Sequence, residues 1–255
     1  MIGGIDLGSR SVKIVLFKNN SLYKTYIYET ISFYKKYGKK KSNQLQIDFS
    51  ALGLPVMEKV VSTGYGRLTI EVEGAESIPE IKAHLYGALY QSGLRDFTLL
   101  DLGGQDSKII KVRKGKMVDF LTNDKCAASS GRYLENMAKV LDITLEDLSN
   151  HWEDPVSLSS TCAVFGESEL IGKIVEGHPI ERLAAGVNYT IFKRIHPLLA
   201  KFPSDTIVFT GGVANNKALV RILEKETGSK VLIPPYPQFN GAIGCAFFGL
   251  EKMRN

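Results

Sequence analysis

Apolar and polar positions fall into short strand-like and helix-like runs separated by glycines. At 5–20 an apolar strand ends in Asp6, a turn follows at Gly8, and a returning strand alternates through Val12, Ile14 and Leu16. Residues 100–115 repeat this arrangement. Laid over one another at a constant offset of 95, Asp6, Leu7, Gly8, Lys13 and Ile14 meet Asp101, Leu102, Gly103, Lys108 and Ile109. The pattern therefore predicts one hairpin occurring twice. Farther on, Ile207, Val208 and Phe209 read as a buried strand, Gly211-Gly212 as a turn, and 213–223 as a helix. Two amphipathic helices are also predicted. One carries Tyr133, Leu134, Met137, Ala138 and Leu141; the other carries Val164, Leu170, Ile171, Ile174 and Val175 and ends at Gly177. A cysteine stands ahead of each, Cys126 and Cys162.

At 255 residues and 44% hydrophobic content, the chain can bury a substantial core as one large domain or two small ones. Its first residues lack the pattern of a signal peptide, and no apolar run approaches the roughly 18 residues of a membrane helix. The expectation is a cytoplasmic protein without membrane contact. Three cysteines make no disulfide framework, so in a reducing compartment they serve as thiols or metal ligands. Cys245, among the small and apolar residues of GAIGCAFFG, reads as core. The net charge of +5 is modest, and its densest run, KKYGKKK at 35–41, reads as a solvated loop. No aromatic platform or basic helix accompanies it, so no nucleic-acid partner is expected. A lone His84 reads as a packing residue.

The repeated hairpin changes this picture. Backbone N–H groups in a turn of small residues can converge on an anion, which a larger side chain would keep away. The aspartate before each turn would then hold a magnesium ion through water, and the strand-Gly-Gly-helix segment would cradle a nucleoside. This order of parts fits two-lobed ATPases that bind nucleotide in an interdomain cleft.

The motifs resemble those of the actin, sugar kinase and heat-shock chaperone ATPase superfamily: DLGS (6–9), DLGGQD (101–106) and FTGGVANN (209–216). TGYGR (63–67), NDKCAASSGR (123–132), STCAVFGESE (160–169) and QFNGAIGCA (238–246) narrow the resemblance to the ATP-dependent activators of 2-hydroxyacyl-CoA dehydratases, a family that includes ATPase subunits of benzoyl-CoA reductase. ASSG stands where an AGTG-like run is more usual, and GESE where AESE is; neither removes a ligand. The resemblance implies an α/β fold of two ribonuclease-H-like lobes. The first spans 1–94 with a helix at 240–255 returning to it, and the second spans 95–239.

It also implies a homodimer sharing one [4Fe-4S] cluster through Cys126 and Cys162 of each copy. Two thiols at helix mouths, doubled by a two-fold axis, make the four that such a cluster needs, and helix N-termini favour their ionised form. Implied for ATP or ADP are Mg²⁺ at Asp6 and Asp101, and contacts from Gly8, Ser9, Lys13, Gly103, Gly104, Gly211, Gly212, Asn215 and Gln238. Asp101 thereby belongs to the catalytic group with Gln105 and Asp106, either of which would orient the attacking water. The implied purpose is to pass low-potential electrons from a ferredoxin or flavodoxin to a dehydratase or reductase. The alternatives on the same fold are a sugar or acyl kinase, with Asp106 as its base, and an actin-type nucleotide switch or assembly protein.

Overall fold

The computed structural model describes residues 1–41, 44–48, 50–64, 70–123, 130–159 and 163–254, which divide into two compact units. The first comprises Met1–Gly93 and Phe239–Asn255, the second Leu94–Gln238.

The first unit opens with β1 (Ile2–Leu7), β2 (Ser11–Lys18) and β3 (Ser21–Glu29), an antiparallel meander, followed by α1 (Thr30–Tyr37). Next come β4 (Gly38–Lys41), β5 (Gln44–Ile47), β6 (Lys59–Gly64), β7 (Ile70–Val72), β8 (Ala75–Ser77) and α2 (Glu80–Ser92). Five strands form a sheet in the order β3-β2-β1-β6-β8, in which β6 runs parallel to β1; β4, β5 and β7 form a separate small sheet. The basic run at 35–41, expected as a loop, is instead the end of α1 and the whole of β4. The ladder from β4 to β5 orders its backbone, while Lys35, Lys36, Lys39, Lys40 and Lys41 remain exposed.

In the second unit the meander recurs as β9 (Phe97–Leu102), β10 (Ser107–Arg113) and β11 (Lys116–Asn123). It is followed by α3 (Gly131–Val140), α4 (Leu145–Leu148), α5 (Ala163–Val175), α6 (Ile180–Leu199), β12 (Thr206–Thr210), α7 (Lys217–Thr227) and β13 (Lys230–Leu232). The sheet order, β11-β10-β9-β12-β13, matches the first strand for strand, again with β12 parallel to β9. Even the tight turns between second and third strands correspond: Asn19-Asn20 and Lys114-Gly115 all have positive φ, the signature of a hairpin turn that follows strand twist. The last helix, α8 (Asn240–Arg254), returns to the first unit, where Ala242, Ile243, Ala246 and Leu250 cover Ile2, Val15 and Phe17.

Two expectations are corrected. The helix expected at 213–223 is a 3₁₀ turn over Gly212–Asn215 followed by α7, because the Asn216 side chain accepts the Leu219 N–H at 2.9 Å and caps a new helix there. In α5, Leu170 is buried and Ile174 packs on the unit's core, but Ile171 and Val175 point outward with Phe165. The helix has more apolar residues than one buried stripe can absorb.

Candidate functional site

Parallel pairing brings the end of β1 against the end of β6, and the end of β9 against that of β12. Asp6 thereby lies between Lys13 and Thr63, and Asp101 between Lys108 and Thr210. Both aspartates are buried on central strands. Lys13 Nζ is 3.9 Å from Asp6 Oδ2, and Lys108 Nζ is 3.8 Å from Asp101 Oδ2. β6 finishes in Thr63-Gly64, and β12 finishes in Thr210 with Gly211 next. Gly64 (φ +123°) and Gly211 (φ +87°) press against the preceding hairpins so closely that a Cβ would lie 2.5 Å from Leu7 O and 2.1 Å from Leu102 O. Only glycine fits there.

In the second unit, Thr210 Oγ1 donates to Asp101 Oδ1 at 2.6 Å. Lys108, 4% exposed, also pairs with Asp106, and Gly103 N donates to Asp106 O at 3.0 Å to close the turn that carries Gly104 and Gln105. Ser107 Oγ beside this turn is buried with no hydrogen-bond partner among the described residues. The turn's carbonyls anchor α3: Gly131 N donates to Gly103 O at 2.9 Å, and Ser130 Oγ and Arg132 N donate to Gly104 O at 2.9 and 3.1 Å. Gly211 N donates to Pro237 O at 2.9 Å, which brings half-buried Gln238 near the Gly211-Gly212 turn. Asn215 is exposed, its amide turned back to Gly212 O at 3.2 Å.

In the first unit, half-buried Gly8 and Ser9 form the hairpin tip, with Gly8 O accepting from Thr30 Oγ1 at 2.8 Å. Burial, and then the charge of Asp6, push the Tyr34 phenol up to about 12. Thr63 donates away from Asp6, to Ile78 O at 2.9 Å. The helices α2 and α8 bring His84, Glu80 and Gly241 to the same region. Cys245 is fully buried with Sγ 3.6 Å from Ile5 O, and burial, followed by the nearby Asp6 charge, raises its thiol pKa well above the usual value.

Cys126 and Cys162 lie outside the described residues, as do positions 65–67 of TGYGR. Among the described residues no group of three or more His, Cys, Asp or Glu could hold a metal ion. Magnesium asks for less: it keeps most of its waters and takes one or two carboxylates. A buried carboxylate beside a glycine turn, present in each unit, suits that chemistry, and the unsatisfied Ser107 hydroxyl awaits a further polar group. Among the described residues no helix is long and apolar enough to cross a membrane.

Sequence reasoning did not single out Thr210, the bridging role of Lys108, or the neighbourhood of His84. The Thr-Gly ending shared by STG (62–64) and FTG (209–211) was the available signal for the first. For His84 the sequence offered only Glu80 one helical turn earlier, while Asn240 reaches it from a helix 156 residues away.

A sequence model of the BadF/BadG/BcrA/BcrD ATPase family matches residues 4–249. The chain is 34% identical to the 2-hydroxyisocaproyl-CoA dehydratase activator of Clostridioides difficile, over 98% of its own length and 95% of the relative's. It is 32% identical to the (R)-2-hydroxyglutaryl-CoA dehydratase activating ATPase of Acidaminococcus fermentans, over 98% and 96%. The solved structure of the activator of the 2-hydroxyisocaproyl-CoA dehydratase from Clostridium difficile, with bound ADPNP, superposes with a TM-score of 0.84 at 31% identity and covers 99% of this chain and 95% of that one. A ROK family glucokinase from Streptomyces griseus, at 12% identity and a TM-score of 0.59 over 97% and 98%, shares the fold alone.

Proposed function

The chain belongs to the BadF/BadG/BcrA/BcrD ATPase family, and on that premise we propose that it is an ATP-hydrolysing activator that delivers low-potential electrons to a 2-hydroxyacyl-CoA dehydratase or a related reductase. One observation carries the nucleotide half of this reading: the Asp–Lys hairpin occurs twice, in the same register, at the same place in two sheets of the same strand order. Asp6 and Asp101 would hold Mg²⁺ through its waters. Gly8, Ser9, Lys13, Gly103 and Gly104 serve the phosphates, while Gly211, Gly212, Asn215 and Gln238 serve the nucleoside. Hydrolysis at such a site is mainly positioning and charge stabilisation, with Gln105 orienting the water. Asp106 pairs with Lys108, which fastens the turn that carries Gln105.

Cys126 and Cys162, both in the sequence of the second unit, would bind the cluster together with the same residues of a second copy. The [4Fe-4S] group, when bound, supplies the one-electron chemistry, with ferredoxin or flavodoxin as donor in the cytoplasm. The test is ATP turnover. Asp6→Asn and Asp101→Asn are each expected to lower it at least about tenfold, roughly 1.4 kcal/mol of barrier. Unchanged hydrolysis removes these residues from the site, and ADP release that requires a hexose or acetate overturns the activator reading in favour of a kinase.

A further inference from the structure

Asp6 and Asp101 occupy equivalent positions but are held differently. Thr210 Oγ1 donates to Asp101, whereas its counterpart Thr63, opposite Asp6 in the same register, donates to Ile78 O. The first unit brings an imidazole to this place instead. A Cβ built on Gly241 would lie 2.9 Å from Asp6 Oδ2 and 3.3 Å from His84 Nε2, so carboxylate and ring nitrogen face one notch that only a glycine leaves open. Polar groups flank the ring on both sides, Glu80 at Nε2 and Asn240 at Nδ1. Glu80 Oε1 lies 3.8 Å from Nε2, Asn240 Nδ2 lies 3.4 Å from Nδ1 and donates to His84 O at 2.9 Å, and Gln91 Nε2 donates to Asn240 Oδ1 at 3.0 Å. A side chain that merely fills space needs no such set of polar contacts.

We propose that His84 is a positioning residue for Asp6, fixing through Nε2 the orientation in which the carboxylate meets the waters around the magnesium of a bound nucleotide. This rests on the nucleotide reading above. Groups that orient a ligand to a metal typically alter metal affinity by roughly ten- to a hundredfold when removed.

The test uses the full chain and measures ADP affinity by calorimetry, once with Mg²⁺ and once with EDTA. A glutamine amide can reach the place of Nε2 and an asparagine amide only that of Nδ1. His84→Asn is therefore expected to weaken ADP binding in Mg²⁺ about tenfold and His84→Gln by no more than about threefold, with binding in EDTA changed less than about twofold for both. In an Asp6→Asn background, His84→Asn should add nothing, because nothing remains to be positioned. Equal losses for the two variants, equal losses with and without magnesium, or full additivity with Asp6→Asn would each overturn the proposal. Failure of the underlying reading looks different: Asp6→Asn alone would then bind magnesium–ADP as the unaltered protein does.

Discussion

Three thiols in one chain invite a single explanation, but Cys245 requires its own. It sits between α8 and β1, fully buried, and its pKa is raised first by loss of water and then by the charge of Asp6, so almost none of it is thiolate at neutral pH. In the native protein Cys245 is expected to resist maleimide and to react only after denaturation, as peptide mapping of the labelled protein would show. Labelling in the native state at the rate of a free thiol would contradict its burial. If the proposed cluster forms, the Cys245→Ala variant should carry as much iron as the unaltered protein. At this scale the sequence was informative where the repeat speaks: the Asp–Lys spacing of the first hairpin is that of the second, and the structure sets each lysine opposite its aspartate. It said little of His84, because apart from Glu80 one helical turn away, the groups around that ring, Asn240 and Gly241, arrive through tertiary folding.

Elements were legible where hydrophobic period and glycine agreed, as in both hairpins and in α3, while the third strands β3 and β11 that complete the meanders were not foreseen. They were less so where a polar side chain intervenes: Asn216 interrupts the expected helix with a cap of its own, and nothing in the local pattern separates it from Asn215. The start of α3 is unusual in a way that matters for the site. Among the described residues no side chain caps it; the carbonyls of Gly103 and Gly104 take its first N–H groups and the Ser130 hydroxyl. These three hydrogen bonds tie the 103–106 turn to the start of α3, and the chain leading into α3 contains Cys126. Ser130→Ala should cost about 1 kcal/mol locally. Hydrogen exchange at the Gly131 and Arg132 amides should quicken several-fold, with Met137 unchanged. Equal rates in both proteins would show that this bond does not hold the helix in place.

For the whole molecule, the proposed shared cluster predicts a stoichiometry. Anaerobically purified protein should be brown, sediment as a dimer and carry about four irons per two chains, because each chain offers only two ligands. A colourless, well-folded monomer would refute this. The two sheets share one strand order, yet the first is finished by α8, which follows the entire second unit in the sequence. On the ribosome, β1 to β3 therefore emerge long before the helix that covers Ile2, Val15 and Phe17. A released chain truncated after Gln238 should resist protease across 94–238 and be cut within 1–93, and the full chain, which adds α8, should lose that cutting. During synthesis the first unit is an unfinished sheet with an oily face waiting on α8, a surface expected to engage chaperones until that helix has emerged.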